Sequence, residues 1–246
     1  MKTVEGGIFL IDVLDVHTHT IASGHAYNTM NEMIAAAKNK NLKLFGIADH
    51  APAMPGSCHS FHFLNLKTVR RDAYGIELVL GVELNILDYN GSTDLPGHIL
   101  ETLDFAVASL HNPCIKPGTL EQNTAAMIGA IKNPCVVIIG HPDNPSYPVD
   151  FDRVAQAAAE HNVLLEINNH SYESTGGRAG SRDKAKLMLA ACKKYRTHVI
   201  MGSDAHVDTD VGNHRSSIAV LEENDFPSEL VVNADPQQFR TFLRSR

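Results

Sequence analysis

The chain has 246 residues, 43% hydrophobic and 20% charged, enough apolar material for a large core in one α/β domain. Its formal net charge of −7, with no basic run, argues against a nucleic-acid partner unless bound cations change the sign inside a cleft. Cys58, Cys114, Cys135 and Cys192 stand far apart with no CxxC pair, which argues against a disulfide scaffold or a thiolate zinc site and fits the reduced thiols of a cytoplasmic protein.

Residues 1–11 read as a short extension: an acid and two glycines precede Ile8-Phe9-Leu10-Ile11, and the run breaks at Asp12. It is too short for a signal peptide or a membrane span. A first strand over 13–17 ends in His17-Thr18-His19. Thr29-Met30-Asn31-Glu32 matches a capping box, after which Met33, Ile34 and Ala37 return at helical spacing. Further strands are predicted over 42–48, 76–84, 105–110, 135–139, 163–167 and 198–201. Alanine-rich amphipathic helices are predicted over 121–132, 152–161 and 182–195. Strand then helix, about seven times, implies parallel strands covered on both faces, in a closed β/α barrel or an open doubly wound sheet. No GxGxxG follows the first strand and no GxxxxGK[ST] occurs, and nothing marks a linker or repeat. One barrel domain over 1–246 is the simpler reading.

In such a barrel the C-terminal strand ends meet at one mouth. His17 and His19 close the first strand, Asp49-His50 the second, Glu83 the third, His111 the fourth, His141 the fifth, Asn168-Asn169-His170 the sixth, and Asp204 with His206 the seventh. An isolated histidine at a strand end is usually a satisfied polar residue, but convergence from six strands outweighs that reading. Alternate side chains share a face of an extended strand, so His17 and His19 can grip one ion, and Asp204 with His206 repeats the arrangement. Imidazoles with carboxylates suit zinc, manganese or iron in a catalytic rather than structural role. At about three protein ligands per ion, His17, His19, His50, Glu83, His111, His141, Asp204 and His206, with the loop residue His25 as an optional ninth, suffice for three ions if a carboxylate bridges. Water activated by such ions is the equipment for hydrolysing a small phosphate ester.

Weaker candidates lie beyond the ligands. Asn168, Asn169 and His170 come from the one strand without a ligand and would shape a substrate pocket, although Asn169 and His170 could equally cap the loose ends of that strand. Arg178, in Gly176-Gly177-Arg178-Ala179-Gly180-Ser181, would meet a phosphate at the N-terminus of the next helix, with Ser181 either contacting the anion or capping that helix. His59 and His62 would sit on a lid or simply in a solvated loop. Asp49 points away from His50, towards packing or a bond to a ligand rather than a cation.

His17-Thr18-His19, Ala48-Asp49-His50, Glu83, His111, Gly140-His141-Pro142, Leu165-Glu166-Ile167-Asn168-Asn169, Gly202-Ser203-Asp204-Ala205-His206 and Asp225-Phe226-Pro227 resemble the motifs of the PHP superfamily, named for polymerase and histidinol phosphatase. The likeness runs from about Asp12 to the C-terminus and is strongest to the YcdX-like phosphatases. It implies a distorted seven-stranded, TIM-like β/α barrel, three divalent metal ions, usually zinc, and a phosphatase activity. It further implies that His17, His19, Glu83 and Asp204 hold one ion and the attacking water, that His25, His50 and His206 hold a second, and that Glu83, His111 and His141 hold the third. His25, on a loop, enters the ligand set only through the resemblance.

Three alternatives fit the residues less well. An amidohydrolase shares the HxH and a late Asp but typically adds a carbamylated Lys, where this chain has Ser109-Leu110-His111. A nuclease acting on DNA ends would need a basic, aromatic-lined path that the sequence lacks. A non-catalytic module would have lost ligand positions, and here all nine are filled.

Overall fold

A computed structural model describes residues 12–174 and 176–244; the extension expected over 1–11 lies outside the described residues. The elements in chain order are β1 (Leu14–Asp15), α1 (Met30–Asn39), β2 (Leu44–Ile47), α2 (Ser60–Asn65), β3 (Glu77–Leu80), β4 (Val82–Asn85), α3 (Gly97–Leu100), β5 (Ala106–Ser109), α4 (Leu120–Ile131), β6 (Val136–Ile139), α5 (Phe151–Glu160), β7 (Leu164–Asn168), α6 (Ser181–Tyr195), β8 (Val199–Gly202), α7 (Arg215–Glu223) and α8 (Pro236–Arg244). The strands pair in parallel, in a three-stranded sheet of order β1-β2-β3 and a five-stranded sheet of order β4-β5-β6-β7-β8. This is the α/β fold with parallel strands that the alternation of elements implies. The capping box at Thr29 and Glu32 forms, and Thr119 with Gln122 makes a second one ahead of α4. Among the described residues, no helix is long and apolar enough to cross a membrane.

The strand expected over 76–84 is divided. Its first half, β3, pairs with β2, and its second half, β4, pairs with β5. Gly81 stands at the change of partner, where a Cβ would come within 2.6 Å of Phe105. Only glycine passes there without displacing that ring. Eight strands in two sheets therefore replace the seven expected, and isolated parallel bridges run from Thr18, past β1, to Ala205, past β8, and from His50, past β2, to Glu83 within β4.

Alternate side chains of each strand take opposite faces. Phe45, Ile47, Leu165, Ile167, Val199 and Met201 face the larger core, shared with the helices. Leu14, Leu44, Val79, Leu164 and Ile200 face a smaller core that Phe239 and Phe242 of α8 complete. Those two rings pack on Phe105 and His198, just ahead of β5 and β8, so α8 lies where strands begin. Following the inner face along β7 gives Leu164, Glu166, Asn168, apolar first and polar later. Because the strands are parallel, this polar end is the same for all, and it carries the candidate site.

A buried charge braces the same region from behind. His214, just ahead of α7, donates from Nδ1 to Asp12 Oδ2 at 2.7 Å, and its Nε2 lies 3.6 Å from Asp15 Oδ1. Asp15 also accepts from Ser203 Oγ at 2.6 Å and from Gly212 N at 2.8 Å. Burial alone would lower His214, but Asp12 and Asp15 outweigh it and raise the group from 6.5 to about 10. The stability this cation contributes is complete below 6.5 and is lost as pH rises towards 10. His214→Gln is expected to cost about 3–5 kcal/mol at pH 7, because two largely buried acids lose their cation. Urea unfolding should show that loss, and the variant should lack this part of the decline in midpoint that the parent shows between pH 7 and 10.

Candidate metal centre

The nine residues singled out as ligands meet at the polar ends of the strands. Glu83, in β4, is at the middle. Its carboxylate oxygens lie 2.7 Å from His50 Nδ1, 3.2 Å from His111 Nε2, 3.2 Å from His141 Nε2, 3.4 Å from His17 Nε2 and 3.5 Å from His19 Nε2. Asp204, just after β8, places Oδ1 3.1 Å from His19 Nε2 and 3.6 Å from His206 Nδ1. His25, exposed on the loop after β1, joins through its ring, with centroids 4.9 Å from His50 and 4.8 Å from His206.

The nitrogen of each ring turned away from this centre is held in several cases. His17 Nδ1 donates to Glu166 Oε1 at 2.6 Å, His19 Nδ1 to Ser23 Oγ at 3.0 Å, and His111 Nδ1 to Asn85 Oδ1 at 2.7 Å. Ser23 Oγ in turn donates to Asp49 Oδ1 at 2.7 Å, and Asp49 also accepts from Thr20 N and Thr20 Oγ1. Asp49 thus steadies a histidine through a serine. Ser109 Oγ donates to Glu83 Oε1 at 2.6 Å. Protonation at Nδ1 leaves Nε2 bare and facing the other ligands, which is the form a cation needs.

The charges are arranged to the same end. Burial, with His206 and His50 close by, pushes His19 well below its ordinary value. Burial also lowers His111, and burial with the Arg178 charge takes His141 down to about 4. These imidazoles are neutral at pH 7, as ligands must be. His17 differs: burial would lower it, but Glu166, Glu83 and Asp204 outweigh that and raise it well above 6.5. Burial would raise Glu83, but His50, His111 and His17 hold it well below the usual carboxylate range.

The donor set fits divalent cations. His17 Nε2, His19 Nε2, His50 Nδ1 and Glu83 Oε2 are buried with no hydrogen-bond partner among the described residues. Such groups cost about 1–3 kcal/mol each unless something satisfies them. Three sets have donor atoms within 4.8 Å of one another: His19 with His50 and His206, His17 with His19 and Glu83, and His50 with Glu83 and His111. These overlap the three groupings implied by the resemblance, differing in placing His19 where His25 was expected and His50 where His141 was, and in leaving Asp204 out of the set with His17, His19 and Glu83. Two of the nine, His141 and Asp204, hold positive φ of 32° and 56°, the kind of local strain that functional sites retain.

A cavity of about 370 Å³ opens over the ligands, lined beyond them by Met54, Pro113, His170, Gly176, Arg178 and Asp210. His170 and Arg178 thus line the cavity over the ligands. Arg178 Nη1 donates to Ser171 Oγ at 3.0 Å, to Asn168 Oδ1 at 3.2 Å and to Asp204 Oδ2 at 3.3 Å. Asn168 is spent on those contacts rather than on the open cavity. The other candidates are placed differently. Asn169 turns away: its Oδ1 accepts from Ser216 N and Ser217 N at the start of α7. Gly180, not Ser181, is the N-cap of α6, and Ser181 lines a separate cavity. His59 caps α2 by accepting from Phe61 N, and His62 Nε2 lies 3.8 Å from Asp49 Oδ2; neither lines the cavity over the ligands.

Glu166, which the sequence showed only as part of a family motif, and Asn85 were given no role from the sequence, although both grip a histidine. The available signal for Glu166 was an acid inside the apolar run Leu164-Leu165-Glu166-Ile167. For Asn85 there was none.

Residues 15–177 match the model of the PHP domain family. A probable phosphatase of Caldicellulosiruptor saccharolyticus is 50% identical over 231 residues, which covers 94% of this chain and 95% of that protein. One from Clostridium novyi is 44% identical over 234 residues, covering 95% of each. Among solved structures, the histidinol phosphate phosphatase of Lactococcus lactis, complexed with zinc, L-histidinol and phosphate, aligns with a TM-score of 0.62 at 16% identity, over 88% of this chain and 95% of that one. At that identity the likeness is one of fold.

Proposed function

We propose, from the premise that this chain belongs to the PHP domain family, that it is a phosphatase acting on a small phosphate monoester at a site for three divalent cations. The observation that carries this reading is one carboxylate, Glu83, within 3.5 Å of five imidazoles. A shared acid is what joins separate histidine groups into one centre. His17, His19, Glu83 and Asp204 would hold one cation, His25, His50 and His206 a second, and Glu83, His111 and His141 a third. Zinc suits these donors first, with manganese or iron as alternatives. Cations bound there would bring the pKa of a coordinated water to about 7 and neutralise the phosphate.

The protein's own groups do the orienting. Glu166, Ser23 and Asn85 hold imidazoles in the tautomer that presents Nε2. Arg178 brings a planar cation suited to two phosphate oxygens at the edge of Asp204. His170 and Asp210 offer polar contacts to the rest of the substrate. We read the two parallel sheets as one distorted barrel of seven strand positions, β3 and β4 sharing one, in a single domain.

Metal-loaded protein is expected to hydrolyse p-nitrophenyl phosphate and to leave a dihydropyrimidine-type amide and single-stranded DNA intact. Turnover of the amide or the DNA without the ester would overturn the proposal in favour of an amidohydrolase or a nuclease. Arg178→Met should raise KM for the ester about 10- to 100-fold with a smaller change in kcat, the effect of losing one or two charge-assisted bonds to bound phosphate. Steady-state kinetics across substrate concentration separates the two constants.

A further inference from the structure

We infer that Glu166 is the positioning residue of this centre, acting through His17 and through the ends of β6 and β8; the inference rests on the reading of the centre as a metal site. β7 supplies no candidate ligand, yet Glu166 in its middle is fully buried. Oε1 accepts from His17 Nδ1 at 2.6 Å. Oε2 accepts from His141 N at 2.8 Å and from Asn168 Nδ2 at 3.0 Å. The same Asn168 amide also donates to Asp204 Oδ2 at 3.2 Å. One carboxylate thus fixes a ligand side chain after β1, the backbone of a ligand after β6 and, through one amide, a ligand after β8.

Burying a carboxylate costs several kcal/mol unless it is paired, and the ion-pair partner of Glu166 among the described residues is His17. An arginine or lysine would neutralise it more simply. A histidine partner makes sense when its other nitrogen is needed elsewhere, because a carboxylate on Nδ1–H leaves Nε2 bare and strengthens it as a donor to a cation. That Nε2 lies 3.4 Å from Glu83 Oε1, buried and without a hydrogen-bond partner among the described residues. The bond to His141 N has a second consequence. His141 sits at φ 32°, a strained backbone that a fixed N–H acceptor helps to hold. The room for the carboxylate is also kept open, since a Cβ at Gly202 would collide with Glu166 Oε1.

The test combines zinc affinity, by competition with a chromogenic chelator, with 15N NMR of histidine-labelled zinc-loaded protein. In the parent, His17 should show Nδ1–H and a zinc-shifted Nε2. Glu166→Gln removes the charge and sets an amide NH2 against other donors. It should weaken zinc binding about 10- to 100-fold while KM for p-nitrophenyl phosphate moves less than about threefold. Unchanged zinc affinity in folded Glu166→Gln, with at most a lower Tm, would reduce Glu166 to a structural role and overturn the inference. So would Nε2–H on His17 in the zinc-loaded parent, an arm that needs no variant to fold. A parent that binds no zinc at all would instead overturn the reading of the centre.

Discussion

Glu83→Ala is expected to lower kcat/KM for p-nitrophenyl phosphate by at least about 10³-fold, about 4 kcal/mol of barrier, and to strip the protein of bound metal. No single histidine should match it. Each imidazole contributes one nitrogen to the centre, whereas Glu83 faces five of them. It is also held ionised in spite of complete burial, so its removal leaves crowded donors with no anion between them. The backbone should survive, because Glu83 N still pairs with Asp49 O and Ala51 N with Glu83 O. Kinetics, elemental analysis and circular dichroism on the same sample check all three parts. Metal loss with an intact fold is the expected combination.

Asp204→Asn should cost about 10²- to 10³-fold in kcat/KM, on the scale of removing one charged donor from a catalytic centre. The substitution is clean for a local reason. Asp204 has φ 56°, and asparagine tolerates that left-handed conformation as well as aspartate does. The change therefore removes the negative charge that holds Arg178 Nη1 at 3.3 Å and faces His19 Nε2 at 3.1 Å, with little backbone penalty. Asp204→Ala should show the same kinetic loss plus about 1–2 kcal/mol of instability from forcing alanine into that conformation. Urea unfolding of both variants beside their kinetics separates the electrostatic effect from the conformational one.

The candidate ligands were legible in the sequence because parallel strands with covering helices bring their C-terminal ends to one place, whatever the details of pairing. His17, Glu83, His111 and Asp204 needed only that geometry. His25 did not follow from it, being a loop residue that reaches the other rings by folding back. The division of one strand at Gly81 was hidden because it lies in the pairing, β3 with β2 and β4 with β5, and the close approach that requires glycine there is to Phe105, distant in sequence. Asn169 illustrates a different limit. Its register beside Asn168 is visible, but whether it meets a substrate or caps α7 depends on where a helix that begins at Arg215 is packed. Ser181 yielded the N-cap to Gly180, whose left-handed backbone starts α6 without a side-chain bond. Glu166 was missed because a ligand search looks at strand ends, and a residue that holds ligands from behind sits one step earlier.

The metal content of protein purified without added metal bears most directly on the central proposal. Nine donor residues, Glu83 and the eight gathered with it, at about three per ion, call for about three equivalents of zinc, manganese or iron per chain, with phosphatase activity lost on chelation and restored by the metal. Fewer than about one equivalent, with full activity surviving the chelator, would contradict it.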